Sequence, residues 1–246
     1  MNTPSPDQHA TGFLSVCPDP LRYDGHTTNP AEVAGLIIAL IPPRARVLDV
    51  GCGTGSLSKL LVDNCGAQLT GIEPDPQRVA VAQARGINIQ QAFFDEKTVG
   101  QLGKFDVVLF ADVLEHLSDP AAALRLAHRV LEAGGMVVAS VPNIAHWSVR
   151  WDLLRGRFEY QPCGIMDATH LRWFTECSIR ALFESTGYRV DSIRPSAGVS
   201  LPVYSERFPW RYFRPHRYRD PLIRLLAKAM PRLFGCQHVI CASRKP

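Results

Sequence analysis

The sequence contains no run of about 18 uninterrupted apolar residues, so a membrane-spanning helix is not expected. Its first residues show no basic start followed by an apolar block, and we therefore expect no secretory signal. No two cysteines form a CxxC pair, which argues against zinc ribbons and disulfide frameworks and favours reduced thiols in the cytoplasm. The seven cysteines are scattered at positions 17, 52, 65, 163, 177, 236 and 241.

Charged residues make up only 20% of the 246 residues, but hydrophobic residues reach 46%, which excludes a mostly disordered chain. The net charge of +4 is unevenly distributed. Residues 194–246 hold 11 Lys and Arg against 2 Asp and Glu (+9), whereas residues 1–193 hold 16 against 21 (−5). An anionic partner and a solvated basic surface explain the basic end equally well.

The pattern of the chain predicts a flexible segment over residues 1–27, which are polar and contain several prolines, followed by one domain over 28–246. From Arg46 onward, strand-like and helix-like segments alternate, including a helix predicted to end at Gly134. This alternation predicts an open, mostly parallel α/β sheet with helices on both faces. Two segments rich in Arg and aromatic residues, 143–174 and 196–235, interrupt the alternation and are predicted to be insertions beside the ligand site.

A glycine-rich loop follows the first predicted strand, in the sequence VLDVGCGTG. Gly51, Gly53 and Gly55 allow a tight turn, close approach of a ligand and a helix N-terminus with free N–H groups. Glu73 ends the second predicted strand, 18 residues after Gly55, where an acid can accept hydrogen bonds from both ribose hydroxyls. The loop and the acid together predict a cofactor that contains a nucleoside.

Two features distinguish between cofactors. The dinucleotide fingerprint GxGxxG is not matched, because position 56 is Ser and the third glycine comes one residue early. Asp49 precedes the first glycine by two residues, and its carboxylate would repel a pyrophosphate but suit an ammonium and a sulfonium. The residues therefore favour S-adenosylmethionine over NAD.

Four stretches, DVGCGTG, GIEPDP, FDVVLFADVLEHLSDP and LEAGGMVVASVPN, resemble the class I S-adenosylmethionine-dependent methyltransferases over residues 28–195. The resemblance is strongest to the ubiquinone-biosynthesis O-methyltransferase branch. It implies a Rossmann-like, doubly wound, seven-stranded sheet with an antiparallel last strand. It implies Asp49, Gly51, Gly53, Gly55, Glu73 and Asp112 around the cofactor. We predict that Cys52, Pro74, Phe94 and Asp95 also contact it.

The chain departs from the family after the third strand. The family usually has Gly-Asp there, with the acid on the adenine amine, whereas this chain has Ala92-Phe93-Phe94-Asp95. A phenylalanine is expected to pack on the adenine instead. Asp112 or its neighbours are expected near the methionine end of the cofactor.

Asp112, Glu115 and His116 directly follow the fourth strand and are candidates for chemistry. If the chain turns helically there, their spacing of i, i+3 and i+4 places them on one side of one turn. Alternatively, Glu115 and His116 brace that turn. His146 and His170 flank the first insertion, and each is either a general base or a structural histidine.

The resemblance also implies a metal site. In the ubiquinone branch the matching acid-x-x-Glu-His residues are metal ligands. Plant small-RNA ribose methyltransferases show a similar set and a later histidine, in a stretch similar to HLRWFT here, which makes His170 the fourth candidate ligand. Asp112, Glu115, His116 and His170 would suit Mg²⁺, Mn²⁺ or Zn²⁺. The competing role for Asp112, His116 and His170 is metal-free catalysis, with a histidine as general base.

We therefore predict a cytoplasmic S-adenosylmethionine-dependent O-methyltransferase that acts on a hydroxyl of a sugar or glycan intermediate. Similarity of PNIAHWSVRWDLLRGRF and GIMDATHLRWFT to methyltransferases of surface-polysaccharide clusters supports this acceptor. The alternatives are a small phenolic or quinone-like acceptor, an RNA ribose hydroxyl, and a non-catalytic cofactor-binding interaction module. The basic segment RPHRYRDPLIRLLAKAMPRLFG either contacts the inner membrane face peripherally or packs on the sheet edge.

Overall fold

The computed structural model describes residues 21, 23–207, 209–212 and 216–245. Most of the predicted flexible segment, residues 1–20 and 22, lies outside the described residues, so its flexibility stays a prediction. Residues 208 and 213–215 of the second predicted insertion also lie outside them.

Seven strands in the described residues form one sheet. They are β1 Arg46–Val50, β2 Gln68–Glu73, β3 Ile89–Gln91, β4 Phe105–Ala111, β5 Leu131–Pro142, β6 Tyr188–Pro195 and β7 Gln237–Arg244. The strand order is β3-β2-β1-β4-β5-β7-β6. The first five strands pair in parallel, whereas β7 lies antiparallel between β5 and β6. The predicted mostly parallel seven-stranded sheet with an antiparallel last strand is confirmed.

Helices connect these strands. They are α1 Val33–Ile38, α2 Ser56–Cys65, α3 Pro76–Ala84, α4 Glu96–Val99, α5 Pro120–Val130, α6 Trp147–Leu154, α7 Glu176–Ser185, α8 Val203–Glu206, α9 His216–Ala229 and α10 Pro231–Phe234. In the described part of the chain, short 3-10 turns lie at Leu114–His116 and Trp210–Tyr212. Within the described part of the chain, no helix combines the length and the apolar character needed to cross a bilayer.

The central strand β4 is buried on both faces, as its continuous apolar sequence predicts for a central parallel strand. Val108 and Phe110 pack in a core that includes residues of α5 and α7. Val107 and Leu109 point to the opposite face and pack with residues of α1 and α2. The sheet therefore separates two hydrophobic cores, and the ends of its strands remain available for ligands.

Helix α5 is shorter than predicted. It ends at Val130, and the next residue, Leu131, already pairs with Phe105 as the first residue of β5. Gly134 does not cap the helix but lies in a register shift of the β4–β5 pairing, with φ of 77°. The sequence pattern could not show this because the strand pairing that ends the helix is non-local.

The second insertion builds a small core of its own. Tyr204, Trp210 and Ile223 are buried together, and Trp147 of the first insertion packs against them. On α9, Arg219 is only 7% exposed and its guanidinium donates to the backbone oxygen of Tyr204 at 2.9 Å. One face of α9 therefore packs against the protein.

We expect Ile223→Ala to lower the free energy of unfolding by about 2–5 kcal/mol, because it leaves a cavity where a fully buried side chain packs. Leu225→Ala on the same helix is the matched control. Leu225 is 62% exposed, so its replacement should change stability by less than about 0.5 kcal/mol. Urea unfolding of the two variants measures the difference; equal losses would contradict the assignment of the buried face.

Candidate active site

The site lies where the order of the strands reverses. β1 pairs with β2 on one side and with β4 on the other. Chains that leave adjacent strands in opposite directions open a crevice at the carboxyl ends of those strands. The segments that follow β1, β2 and β4 meet in this crevice, and they carry most of the residues predicted from the sequence.

The glycine loop fits tightly between its neighbours. Gly51 and Gly55 have φ of 67° and 71°, in the left-handed region that favours glycine. A Cβ atom on Gly51 would lie 2.9 Å from a methyl group of Val113, which follows β4. A Cβ atom on Gly55 would lie 3.0 Å from the Cβ of Ala82 in α3. A side chain at Gly51 would therefore force the segments after β1 and β4 apart.

Glu73 ends β2, as predicted, and lies against the glycine loop. Its predicted contact with the ribose hydroxyls stays a prediction. Its carboxylate accepts hydrogen bonds from the backbone N–H of Gly53 at 2.9 Å and of Asp75 at 3.1 Å. Only 2% of its surface is exposed. Pro74, the next residue, is exposed at the turn that leads to α3. The structure thus places an acid at the end of β2, beside the loop that would carry a cofactor.

Asp49 is a buried acid beneath the loop. It is 1% exposed, and it accepts a hydrogen bond from the hydroxyl of Ser58 at 2.6 Å. Burial raises the pKa of Asp49 to about 7; the Ser58 hydrogen bond opposes the rise and the nearby charge of Glu73 adds to it. A cation in the crevice would stabilise the ionised form.

Three other predicted cofactor residues have local structural partners. The side chain of Cys52 lies so close to Gly71 that a Cβ there would be 2.7 Å from its sulfur. The ring of Phe94 packs edge-on against Phe110 at 5.8 Å between centroids. Asp95 caps α4 by accepting from the N–H of Thr98 at 2.8 Å. Their predicted contacts with a cofactor stay predictions.

Asp112 does not share a helical turn with Glu115 and His116, contrary to the expectation from their spacing. It has a left-handed backbone with φ of 54°, and a single 3-10 turn follows it. Its carboxylate accepts hydrogen bonds from Ser140 at 2.9 Å and from Gln237 at 3.0 Å. Partners on β5 and β7 thus hold the carboxylate, and they are invisible in the local sequence.

Glu115, His116 and His170 form a compact cluster. Each offers one ligand atom, and these atoms all lie within 4.8 Å of one another. The two imidazole rings are 4.9 Å apart between centroids. Asp112, the fourth predicted ligand, is not a member of this group. The structure therefore brings together three of the four predicted metal ligands, although they come from segments 54 residues apart.

Glu115 is the unusual member of the cluster. It is 1% exposed, and neither of its carboxylate oxygens has a hydrogen-bond partner among the described residues. Burial, with the neighbouring charge of Asp112, raises the pKa of Glu115 well above its ordinary value. A buried carboxylate without partners is costly unless it is protonated or meets a cation.

Backbone carbonyls orient both histidines. The Nδ1 of His116 lies 3.1 Å from the carbonyl oxygen of Thr169, and the Nδ1 of His170 lies 3.2 Å from that of Ile165. An Nδ1–H that donates to a carbonyl leaves the lone pair of a neutral imidazole on Nε2, the arrangement typical of histidine ligands. The N–H groups of Leu171 and Arg172 also donate to the Glu115 carbonyl, which fixes this loop beside the 3-10 turn.

His146 does not belong to the cluster. It is fully buried, with Nδ1 at 2.8 Å from the Ser148 hydroxyl and Nε2 at 3.2 Å from the Tyr204 hydroxyl. Burial lowers the pKa of His146 to about 3. The structure thus favours the structural interpretation of this residue over the role of general base.

One segment that the sequence did not indicate contacts both the glycine loop and the loop that carries His170. The hydroxyl of Tyr23 donates to Asp167 at 2.6 Å, three residues before His170. Asp24 accepts two hydrogen bonds from the guanidinium of Arg85 and one from Thr54 of the glycine loop, each at 2.6 Å. We name residues 23–27 the strap. No local signal identifies it, because its partners lie 30 to 144 residues away.

Fold and site together define the class: a class I S-adenosylmethionine-dependent methyltransferase fold, with a glycine loop after β1 and an acid after β2. The chain belongs to the family described as methyltransferase domain, whose model matches residues 26–193. The resemblance inferred from the motifs is thereby confirmed.

Curated relatives that the chain matches include ubiquinone biosynthesis O-methyltransferases. The ubiquinone biosynthesis O-methyltransferase of Xanthomonas oryzae pv. oryzae (strain PXO99A) is 36% identical over 124 residues, 48% of this chain and 52% of that protein. The enzyme of the same name from Pseudomonas aeruginosa (strain LESB58) is 33% identical over 124 residues, 48% of this chain and 53% of that protein. The chain thus matches about half the length of these relatives.

Solved structures show the same fold. A SAM-dependent methyltransferase from Archaeoglobus fulgidus has a TM-score of 0.58 at 19% identity, covering 85% of this chain and 94% of that one. Magnesium protoporphyrin IX methyltransferase from Synechocystis PCC 6803, solved with bound SAH, has a TM-score of 0.57 at 16% identity. The match covers 86% of this chain and 82% of that one. At these identities the likeness concerns the fold alone.

Glu73→Ala should weaken S-adenosylmethionine binding by more than tenfold, measured by calorimetry. It removes a charged acceptor from a nearly dry site, a loss on the order of 2–3 kcal/mol. Asp63→Ala, which removes an exposed acid from α2, should leave the affinity unchanged. An unchanged affinity in Glu73→Ala would refute the assignment of Glu73 to the cofactor.

Asp49 should make cofactor binding depend on pH. Burial raises the pKa of Asp49 to about 7, so the folded protein favours the protonated carboxyl when no cation is bound. The stability that the protonated carboxyl contributes is therefore lost as pH rises through about 7. A cationic cofactor favours the ionised form, so binding should release a proton below about pH 7 and strengthen as pH rises toward it. Calorimetry in buffers of different ionisation enthalpy counts the protons, and Asp49→Asn should remove this release.

Proposed function

We propose that the protein is an S-adenosylmethionine-dependent O-methyltransferase whose acceptor is a hydroxyl of a sugar or glycan intermediate. The proposal rests on the carboxylate of Glu115, which is buried and has no hydrogen-bond partner among the described residues. This carboxylate is grouped with His116 and His170 beside the turn that follows β4. Val113, between Asp112 and this group, contacts the glycine loop. Groups that could activate a hydroxyl therefore lie beside the loop that would hold the methyl donor.

Methyl transfer from a sulfonium is an in-line displacement. The acceptor oxygen forms a bond to the methyl carbon, the carbon–sulfur bond breaks and its electron pair stays on sulfur, and the hydroxyl proton leaves. The protein must align the acceptor and receive that proton. We assign this role to His116 and His170, because each has its Nδ1 beside a backbone carbonyl, which leaves Nε2 of the neutral ring to accept a proton.

The cluster also fits a divalent metal ion. Glu115, His116 and His170 would hold it, and the ion would compensate the buried carboxylate that lacks a partner. Two imidazoles and one carboxylate suit Mn²⁺ or Zn²⁺ better than Mg²⁺. When bound, such an ion supplies Lewis acidity that lowers the pKa of a coordinated hydroxyl.

An aromatic patch near the cluster supports a sugar acceptor. Phe158, Tyr160 and Trp173 have ring centroids 5.7 to 6.0 Å apart, and Phe158 is 46% exposed. The backbone of Gln161, next to Tyr160, pairs with Met166 and Ala168 in the loop that carries His170. Aromatic faces pack on the apolar faces of sugar rings. The names of the curated relatives favour a second candidate, a phenolic quinone-like acceptor.

Metal content separates the two catalytic schemes. We expect protein purified in the presence of Mn²⁺ to carry about one ion per chain, and Glu115→Gln and His170→Ala to lose it, measured by elemental analysis. Glu184→Gln, at an exposed site on α7, is the control and should keep the ion. If chelated, metal-free protein keeps full methyl transfer while His116→Ala loses it, the histidine is a general base and the metal scheme is wrong.

Labelled S-adenosylmethionine tests the acceptor. The protein is incubated with nucleotide sugars and short glycans in one series and with catechols and quinols in another, and methylated products are identified by mass spectrometry. Transfer to the sugar series supports the proposal, and transfer only to the phenols supports the second candidate. Tight cofactor binding without transfer to any acceptor, fractionated cell extract included, would identify a non-catalytic binding module.

A further inference from the structure

Helix α9 has a second face that the fold does not use. Successive residues of a helix are rotated by about 100°. Arg219, Ile223 and Ala227 are buried on the side that faces the small C-terminal core. The opposite side carries Arg217, Tyr218, Arg224, Leu225 and Lys228, all exposed. We call these five residues the outer face of α9.

Cations and apolar groups form two parallel rows on the outer face. Arg217, Arg224 and Lys228 follow each other at intervals of seven and four residues and form a basic row. Tyr218 and Leu225, seven residues apart, form an apolar row beside it, and they are 63% and 62% exposed. The guanidinium of Arg217 also lies over the ring of Tyr218, 4.6 Å from its centroid.

The apolar row is not needed by the core beneath the helix. Ile223 is completely buried there together with Tyr204 and Trp210. Leu225 is more than half exposed, and Met230, just after the helix, is 42% exposed. Large apolar side chains that alternate with cations on a surface helix are typical of helices that lie in the headgroup region of a bilayer.

Few acids lie near the basic row. Glu32, whose carboxylate accepts hydrogen bonds from the N–H groups of Gly198 and Val199, interacts electrostatically with Arg224. Residues 194–246 contain two acids, Glu206 and Asp220, against 11 Lys and Arg. Asp220 is paired with the buried Arg219 at 2.9 Å. The outer face is therefore positive, which complements a surface that carries negative charge.

We propose that the outer face of α9 docks the protein on an anionic lipid bilayer, with the basic row on lipid phosphates and Tyr218 and Leu225 among the headgroups. A nucleic acid would explain the cations and Tyr218, which could stack on a base, but gives no role to an exposed leucine. The proposal does not depend on the methyl acceptor. Vesicle binding and methyl transfer are measured separately, because vesicle binding needs no turnover.

The test is co-sedimentation of the full chain with vesicles of phosphatidylcholine alone or mixed with phosphatidylglycerol. We expect binding only to the anionic vesicles, weakening as salt rises. Replacing Arg217, Arg224 and Lys228 together by Gln should lower the partition coefficient about a hundredfold, since each surface cation contributes about fivefold. Leu225→Ser should also lower it, although it changes no charge.

A matched variant controls for net charge. Arg125 and Arg189 are exposed and Arg180 is half-buried, and all three form ion pairs elsewhere on the surface. Replacing all three by Gln removes the same charge. This variant should bind vesicles nearly as well as the wild type, and all variants should keep the wild-type affinity for S-adenosylmethionine. The proposal is overturned if the wild type does not bind anionic vesicles at low salt, or if the two triple variants bind these vesicles equally. It is also overturned if single-stranded RNA binds with the same dependence on the three cations while Leu225→Ser has no effect on vesicle binding.

Discussion

The reversal of strand order between β1 and β4 is the constraint on which the site depends. It lets the loops after these two strands diverge to opposite faces and leaves a crevice between them. Gly51 is essential to this geometry, since a Cβ there would meet Val113 after β4 at 2.9 Å. The close contact fixes the glycine loop relative to the turn that carries Glu115 and His116, so the two halves of the site form one unit.

Buried carboxylates are the electrostatic signature of this crevice. Asp49 and Glu115 are buried and Asp112 is half-buried. All three have a raised pKa, and removal of the carboxylate from water is the largest cause in each case. Asp49 and Asp112 are partly compensated by hydrogen bonds from neutral side chains, whereas Glu115 has no such partner in the described structure. These three carboxylates destabilise the protein when no ligand is bound, and they favour the binding of cations. Affinity for a ligand is therefore gained at the expense of the stability of the fold.

Segments from outside the sheet complete the site. The strap joins Asp24 to Arg85 and to the glycine loop, and Tyr23 to the loop that presents His170. These hydrogen bonds link the glycine loop, through the strap, to the loop that presents His170. The second insertion instead forms a separate small core and turns the outer face of α9 toward solvent. The crevice and the outer face of α9 are thus separate parts of the structure.

The sequence by itself determined the sheet, the glycine loop and the acid at the end of β2, because apolar strand-like runs, glycine turns and residues at strand ends act locally. Family resemblance also indicated Glu115, His116 and His170 as candidate ligands of one metal site. Only the tertiary structure decided that Asp112 is held by Ser140 and Gln237, that Arg219 is buried and that the strap crosses the glycine loop. These contacts join residues 15 to 125 positions apart, and no local pattern encodes the partner of a side chain whose environment is assembled by the fold.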